Sequence, residues 1–285
     1  YKGFTPAQLF STSNYKNKNL NGVNLSGFDF GGKDFSRFNF TSANLSSVNL
    51  ANVNLSSATL TNATLTNATF TNATITGANL TNANFSSVNF TNSNLSSANL
   101  TSANLSKATL TDADVSGANF ASAKNFTKEQ LYSTKSYKNF DLQFVSFKNL
   151  NLTSWNFAGQ NLADASFESA NLSGANFLNA NIAGAVFAKS TNFTTAQLYQ
   201  TKSYKDKNLA DTDFSSLDLT NADFSSQNLS NANFTSANLK NANFTNANIE
   251  NAVFDNASNF TASQLYTTAT YKTGNLNTDR KSTRL

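Results

Sequence analysis

The sequence predicts an all-β solenoid, a four-sided parallel β-helix, and three observations carry that prediction. From Leu20 to Phe120 every fifth residue is large and apolar, twenty-one times without a miss. Two residues before it stands a smaller apolar residue, as in Ala43, Val48, Val53, Ala58 and Ala78. The polar residues between them repeat every 20 positions: Thr41, Thr61, Thr81 and Thr101, and Asn52, Asn72 and Asn92 followed by Asp112. A period of five fits neither the 3.6 of a helix nor the alternation of a long strand. It fits a chain that turns a corner every five residues, each side pointing one large and one small side chain inward. Four sides close a coil of 20 residues, and successive coils pair like parallel strands about 4.8 Å apart.

Taken in chain order, the comb is interrupted near 4–19, 126–141, 193–208 and 260–275 by one recurring motif. Its copies begin Phe4-Thr5-Pro6-Ala7-Gln8-Leu9, Phe126-Thr127-Lys128-Glu129-Gln130-Leu131, Phe193-Thr194-Thr195-Ala196-Gln197-Leu198 and Phe260-Thr261-Ala262-Ser263-Gln264-Leu265. Thr-x-x-Gln is a capping box, with Phe and Leu placed as a hydrophobic staple. Pro6 suits a first helical position, where a missing N–H costs nothing. Each motif is therefore expected to form a short helical turn docked on the coil, with Tyr137 or Tyr204 folding back toward the interior.

Phe120, Phe126, Leu131, Tyr137 and Leu142 count as successive sides, so that two one-residue insertions keep the phase. Phe126, Phe193 and Phe260 are evenly spaced, each interval being thirteen sides plus two residues, which predicts a quarter-turn displacement between successive motifs. The same count sets Phe4 and Phe126 on one side. A single continuous β-helix is expected over 1–276, with an irregular tail at 277–285.

Ala43-Asn44-Leu45-Ser46-Ser47, Ala83-Asn84-Phe85-Ser86-Ser87 and Ala232-Asn233-Phe234-Thr235-Ser236 resemble the pentapeptide-repeat family. The resemblance covers nearly the whole chain. It implies a right-handed quadrilateral β-helix whose interior is filled by the central Leu or Phe and the preceding small residue. Leu45, Leu65, Phe85, Leu105, Leu172 and Phe234 represent that core. Each pentad buries one large side chain for about 1.5–3 kcal/mol, while ordering a residue's backbone costs about 1–2 kcal/mol. No pentad stands alone, and the fold is a cooperative one-dimensional stack.

The comb also explains what the composition excludes. The 285 residues include 26 Phe and 8 Tyr but no Cys, His or Met, and only 13% are charged. Without Cys or His there is no disulfide, no thiolate nucleophile, no Ser-His-Asp triad and no zinc site of the usual ligands. Twenty-six Phe set the chain apart from disordered low-complexity sequence. From Phe38 to Ser106 there is no charged residue, so the net charge of +4 forms no phosphate-tracking stripe and no nucleic-acid partner is expected. No apolar run approaches the ~20 residues of a membrane span. The chain starts at Tyr1 with neither Met nor a signal-peptide pattern, as a processed chain, a fragment or a sequence without its leader would.

The acidic pairs Asp112/Asp114 and Asp211/Asp213 are the nearest approach to an acid–base or hard-cation site. They read better as Asp in the slots of a repeat that elsewhere carries Asn. No catalytic, cofactor or metal residue is assigned. Asn-x-Ser/Thr sequons at Asn24, Asn39, Asn192 and Asn259 are glycosylation acceptors only if exposed to the machinery, and the repeat generates them automatically. Some members of the family mimic duplex DNA toward a type II topoisomerase, a role that a net positive chain disfavours. The expected function is a non-catalytic, self-associating scaffold or filament subunit, extracellular or at the cell surface, stacking head to tail or laterally. The alternative is a rigid module that binds another protein.

Overall fold

The computed structural model describes residues 4–275, so the expected tail at 277–285 lies outside the described residues. The chain divides into two compact units, Tyr1–Ser146 and Phe147–Leu285. Both are built on the same local rule. Each pentad closes a tight turn in which the N–H following the corner returns to the large apolar residue's carbonyl, as from Ala43 to Phe40 at 2.9 Å. The third turn residue takes positive φ, as at Ser42 (56°), Asn52 (58°) and Asn62 (58°). With φ positive at that residue alone the turn is of type II, which explains why Asn, Ser and Gly crowd the position.

The residue before each large apolar side chain does the pairing. In the first unit Asn19, Asn24, Asp29 and Asp34 bridge in parallel to Asn39, Asn44, Asn49 and Asn54, each one coil further along the chain. After four successive bridges the pairing returns to the side where it began, which makes four sides per coil, as the sequence predicts. The second unit repeats the pattern from Asn151↔Asn171 to Asn238↔Ser258. The contacts are single bridges, since a side of five residues leaves room for one pairing between corners. Asn suits the bridge because its Oδ1 accepts the N–H two residues on, from Ser46 to Asn44 at 3.1 Å, and its Nδ2 donates to the coil beneath, from Asn104 to Asn84 at 3.1 Å.

The interior is the predicted comb. Leu45, Leu65, Phe85, Leu105, Leu172 and Phe234 are all buried, with Ala and Val filling the small positions. In the second unit Phe147, Phe167 and Phe187 form a column of near-parallel rings 5.5 and 5.3 Å apart. Phe214, Phe234 and Phe254 extend it at 5.5 and 5.1 Å. Trp155, Gln160 and Gln227 occupy small inward slots and break the Ala/Val rule.

The interruptions depart from expectation in two ways. Each is a pair of helices and not one turn: α1 Pro6–Ser11 and α2 Ser13–Lys16, α3 Lys128–Ser133 and α4 Lys135–Lys138. The second unit has α5 Thr195–Gln200, α6 Lys202–Lys205, α7 Ala262–Thr267 and α8 Ala269–Lys272. One threonine both ends the first helix and caps the second, since Thr134 Oγ1 donates to the Leu131 carbonyl (2.7 Å) and accepts the Tyr137 N–H (3.1 Å). Tyr137 does not enter the core; its ring stacks on Tyr132 at 4.5 Å.

The coil register is the second correction. Tyr137 does not count as a side, because its helix leaves the coil at a corner. Asn119 bridges Ser146 and Val186 bridges Asp213, so the coil that carries a helix pair is seven positions longer than the regular ones. Leu142 therefore lies over Val115, as the Gly117 N–H to Gln143 carbonyl bond shows, and not over Phe120. In the second unit the interval between motifs is one long coil plus two regular ones. Phe193 and Phe260 follow Phe187 and Phe254, which share a column, so the two motifs lie on the same side and not a quarter turn apart. In the first unit the error has the opposite effect. Phe126 follows Phe120 onto the side of Leu105, whereas Phe4 packs on Phe28, on the neighbouring side.

Candidate binding surface

The helical motifs add their own side-chain contacts between coils to those of the asparagine ladders. In α1, α3, α5 and α7 the capping box is complete, with Thr5, Thr127, Thr194 and Thr261 paired to Gln8, Gln130, Gln197 and Gln264. The glutamine does more than cap. Gln130 Nε2 donates to the carbonyls of Leu105 (2.8 Å) and Ala108 (2.9 Å) in the coil beneath. Gln197 reaches Leu172 and Ala175, and Gln264 reaches Leu239 and Ala242, at 2.8–2.9 Å. On the second helix a small hydroxyl accepts a backbone N–H of that lower coil: Ser136 from Val115, Ser203 from Ile182 and Thr270 from Ile249.

The coil above is gripped by tyrosines. Tyr199 Oη accepts the Asp223 N–H at 2.7 Å, and Tyr204 Oη donates to the Asp223 carbonyl at 2.8 Å. Gln227 Nε2 donates to the Tyr204 carbonyl at 3.0 Å, which explains a glutamine in an inward slot. Sequence reasoning missed this residue, although Gln160 and Gln227 recur at the same interval as the motifs.

Burial pushes the Tyr204 phenol up to about 12, with Asp223 and Tyr199 adding to the rise. Burial likewise pushes Tyr137 up to about 12, helped by Tyr132. A folded-state pKa above the unfolded value of about 10 stabilises the fold fully below pH ~10 and is lost as pH rises toward 12. The melting temperature is therefore expected to fall between those limits. Tyr137→Phe with Tyr204→Phe should flatten the decline, and an unchanged slope in the double variant would refute this origin.

The acidic pairs do not assemble into a site. Asp112 pairs with Lys138 at 2.7 Å. Burial opposes ionisation of Asp114, but hydrogen bonds from Ser116 and Ser136 and the charge of Lys135 outweigh it and hold the carboxyl below its ordinary range. Asp211 Oδ1 accepts from Asn231 and Asp213 Oδ1 from the Ser215 N–H. Each carboxylate is engaged by its own coil or its neighbour. Among the described residues no cluster of three or more His, Cys, Asp or Glu is placed to hold a metal, and no helix is long and apolar enough to cross a membrane.

The sequon asparagines belong to the same lattice. Asn24 Oδ1 accepts the Ser26 N–H, and Asn39 Nδ2 donates to Asn19. Asn192 and Asn259 donate to Asn171 and Asn238 at 2.8 Å. Among the described residues the large apolar side chains that stand out from this polar surface are Phe4, Phe140, Phe144, Leu178, Tyr266 and Tyr271.

Fold and surface together define a repeat solenoid whose Asn, Ser, Thr and Gln side chains are engaged mainly by its own backbone. The profile described as Pentapeptide repeats matches residues 19–56, 49–86, 83–121, 151–188, 208–246, 218–256 and 228–265, and the chain belongs to the pentapeptide-repeat family. The fold of that family is generally a structural and protein-binding one. Among solved structures the chain is similar to HetL, a pentapeptide repeat protein involved in heterocyst differentiation regulation in the cyanobacterium Nostoc, at 22% identity over 90% of this chain and 94% of that one (TM-score 0.26). It is similar to Rfr23 from the cyanobacterium Cyanothece at 25% identity over 46% and 88% (TM-score 0.32). Full-length QnrB1, a plasmid-mediated fluoroquinolone resistance protein, matches at 13% identity over 89% and 95% (TM-score 0.29). No curated protein matches the chain.

Proposed function

We propose that the protein is a non-catalytic scaffold, wound right-handedly like its family, that binds protein through its exposed coil faces, with its own copies as first partner. One observation carries this reading. The Tyr266 and Tyr271 rings stack at 4.7 Å as Tyr199 and Tyr204 do at 4.6 Å. Yet they stand 53% and 40% exposed, with no described residue over them. The inner pair grips the backbone of a further coil, and the outer pair is built alike to hold a coil edge of the same kind, which a second copy can supply. An uncharged surface from Phe38 to Ser106 adds no repulsion between copies, and an extracellular or cell-surface location goes with that neutral exterior.

The first motif shapes how copies would meet. Position 14 is an exposed Asn, whereas its counterparts Ser136, Ser203 and Thr270 are small and buried on a coil beneath. Asn14 therefore makes the α1–α2 face a poor copy of the inner joints. Association through the Tyr266/Tyr271 face fits better than a regular head-to-tail filament. Sedimentation across a wide concentration range, with electron microscopy, tests the proposal. Concentration-dependent association weakened by Tyr266→Ala with Tyr271→Ala supports it. A wild-type chain that stays monomeric sinks self-association and leaves a module for a different protein.

A further inference from the structure

Phe144 is out of place at a corner position that is held mostly by Asn, Ser and Gly. It occupies the third turn residue with φ 60°, where the equivalent corners after the first and third motifs carry Gly22 (φ 67°) and Asp211 (φ 60°). A left-handed backbone costs a residue with a β-carbon about 1–2 kcal/mol. Phe144 recovers little of that by burial, because it is 63% exposed. The turn does not need an aromatic ring, and strain of this kind points to a use outside the fold.

Phe144 forms one wall of a cleft of about 380 Å3 together with Asp141 and Gln143, facing Ser96, Ser97, Ser116 and Gly117. Gly117 lies between Ser97 and Phe144: a β-carbon there would make ordinary contacts with Ser97 Oγ at 3.5 Å and Phe144 Cβ at 3.8 Å. Gln143 Nε2 donates to Asp141 Oδ1 at 2.9 Å. That bond fixes the two side chains against each other and leaves Asp141 Oδ2 and Gln143 Oε1 as acceptors. Ser116 Oγ donates to Asp114 at 2.8 Å and lies 3.4 Å from Ser136 Oγ, which leaves it one acceptor position.

We propose that this cleft is a saccharide-binding site in which a pyranose ring stacks on Phe144 and its hydroxyls bond to Asp141, Gln143, Ser97 and Ser116. The chemistry selects the class. One aromatic face suits the C–H face of a sugar ring, and a few convergent polar groups beside an apolar surface fix orientation. A carboxylate, an amide and serine hydroxyls match a neutral polyol. No Lys or Arg lines the cleft to receive a phosphate or carboxylate, and Asp141 repels anions. This site is separate from the Tyr266/Tyr271 face and stands whether or not copies associate.

Saturation-transfer NMR of the full chain with cellotetraose, maltotetraose and chitotetraose tests the proposal. At least one probe is expected to give transfer localised on its ring protons. Phe144→Asn should weaken binding at least tenfold and also raise the melting temperature, because Asn tolerates the left-handed turn. That opposite movement of binding and stability separates loss of the site from loss of the fold. Phe140→Lys supplies a control, since Phe140 is also exposed with φ 57° but does not line the cleft, and Lys18 and Lys207 hold its equivalent position. It should leave binding unchanged. No transfer with any probe, unaltered binding by Phe144→Asn, or equal loss in Phe140→Lys each overturns the assignment.

Discussion

Replacing Phe167 by Ala is expected to destabilise the unit that contains it by about 3–5 kcal/mol, the range for removing a buried aromatic ring. Its ring is fully buried, stacked on Phe147 at 5.5 Å and Phe187 at 5.3 Å, and meets Phe157 and Phe177 edge-on at 5.4 and 5.5 Å. Every coil is held only by its neighbours, so the cavity weakens three coils at once and the surroundings have little freedom to collapse into it. Phe85→Asp goes further in the first unit: it places a carboxylate in a fully buried position without a partner and should abolish cooperative unfolding. Urea denaturation followed by circular dichroism measures both effects. Asn52→Ser, on the exposed side of a corner that elsewhere uses Ser, is the comparison and should shift stability by less than about 0.5 kcal/mol. A Phe167→Ala variant as stable as this control would mean that the column is not a packed core.

Gln130→Ala should cost about 2–4 kcal/mol, and Gln8→Ala no more than about 1.5 kcal/mol, although both sit in the same capping box, because the bonds they make differ in number at about 0.5–1.5 kcal/mol net each. Gln130 Oε1 accepts the Thr127 N–H at 2.9 Å, and its Nε2 also closes two carbonyls of the coil beneath. Without Gln130 the Ala108 carbonyl loses its donor in a partly buried place, and the Leu105 carbonyl keeps only the turn bond from the Ala108 N–H. Gln8 Oε1 accepts from the Thr5 N–H at 2.8 Å and from the Thr5 hydroxyl at 3.2 Å, both exposed, and Gln8 has no described coil beneath it to grip. Both residues belong to the first unit, so one unfolding transition reports both. Equal losses would show that the glutamine acts only as a cap and that the joint is held by the backbone.

The register error at the motifs shows how far a sequence comb can be trusted. Tyr137 stands six residues after Leu131 and five before Leu142, so spacing alone makes it one more inward side. The structure gives it to a second helix because Thr134 caps that helix with its hydroxyl. Thr-x-x-Tyr lacks the glutamate or glutamine that made the first box visible. The Gln8/Gln130/Gln197/Gln264 pattern was legible as capping, but the reach of the last three to a coil one full circuit back along the chain was not. The small hydroxyls Ser136, Ser203 and Thr270 carried no signal in a chain where Ser and Thr fill most polar positions. Phe144 was equally silent in the sequence, since an unexpected Phe among 26 stands out only once its corner is known to be left-handed and exposed.

By itself the sequence determined the five-residue side, the four-sided coil, the buried Leu and Phe comb, the sites of interruption and the first helix of each. These are local rules, repeated so often that position along the chain fixes the environment of nearly every residue. Tertiary structure alone decided the lengthened coil at each inner motif, the tyrosine grip on the coil above, the common column of the second unit's two motifs and the cleft beside Phe144. Each of these depends on which residues of one coil lie over those of another, and a few inserted residues that leave the comb looking intact change that registry by a whole side.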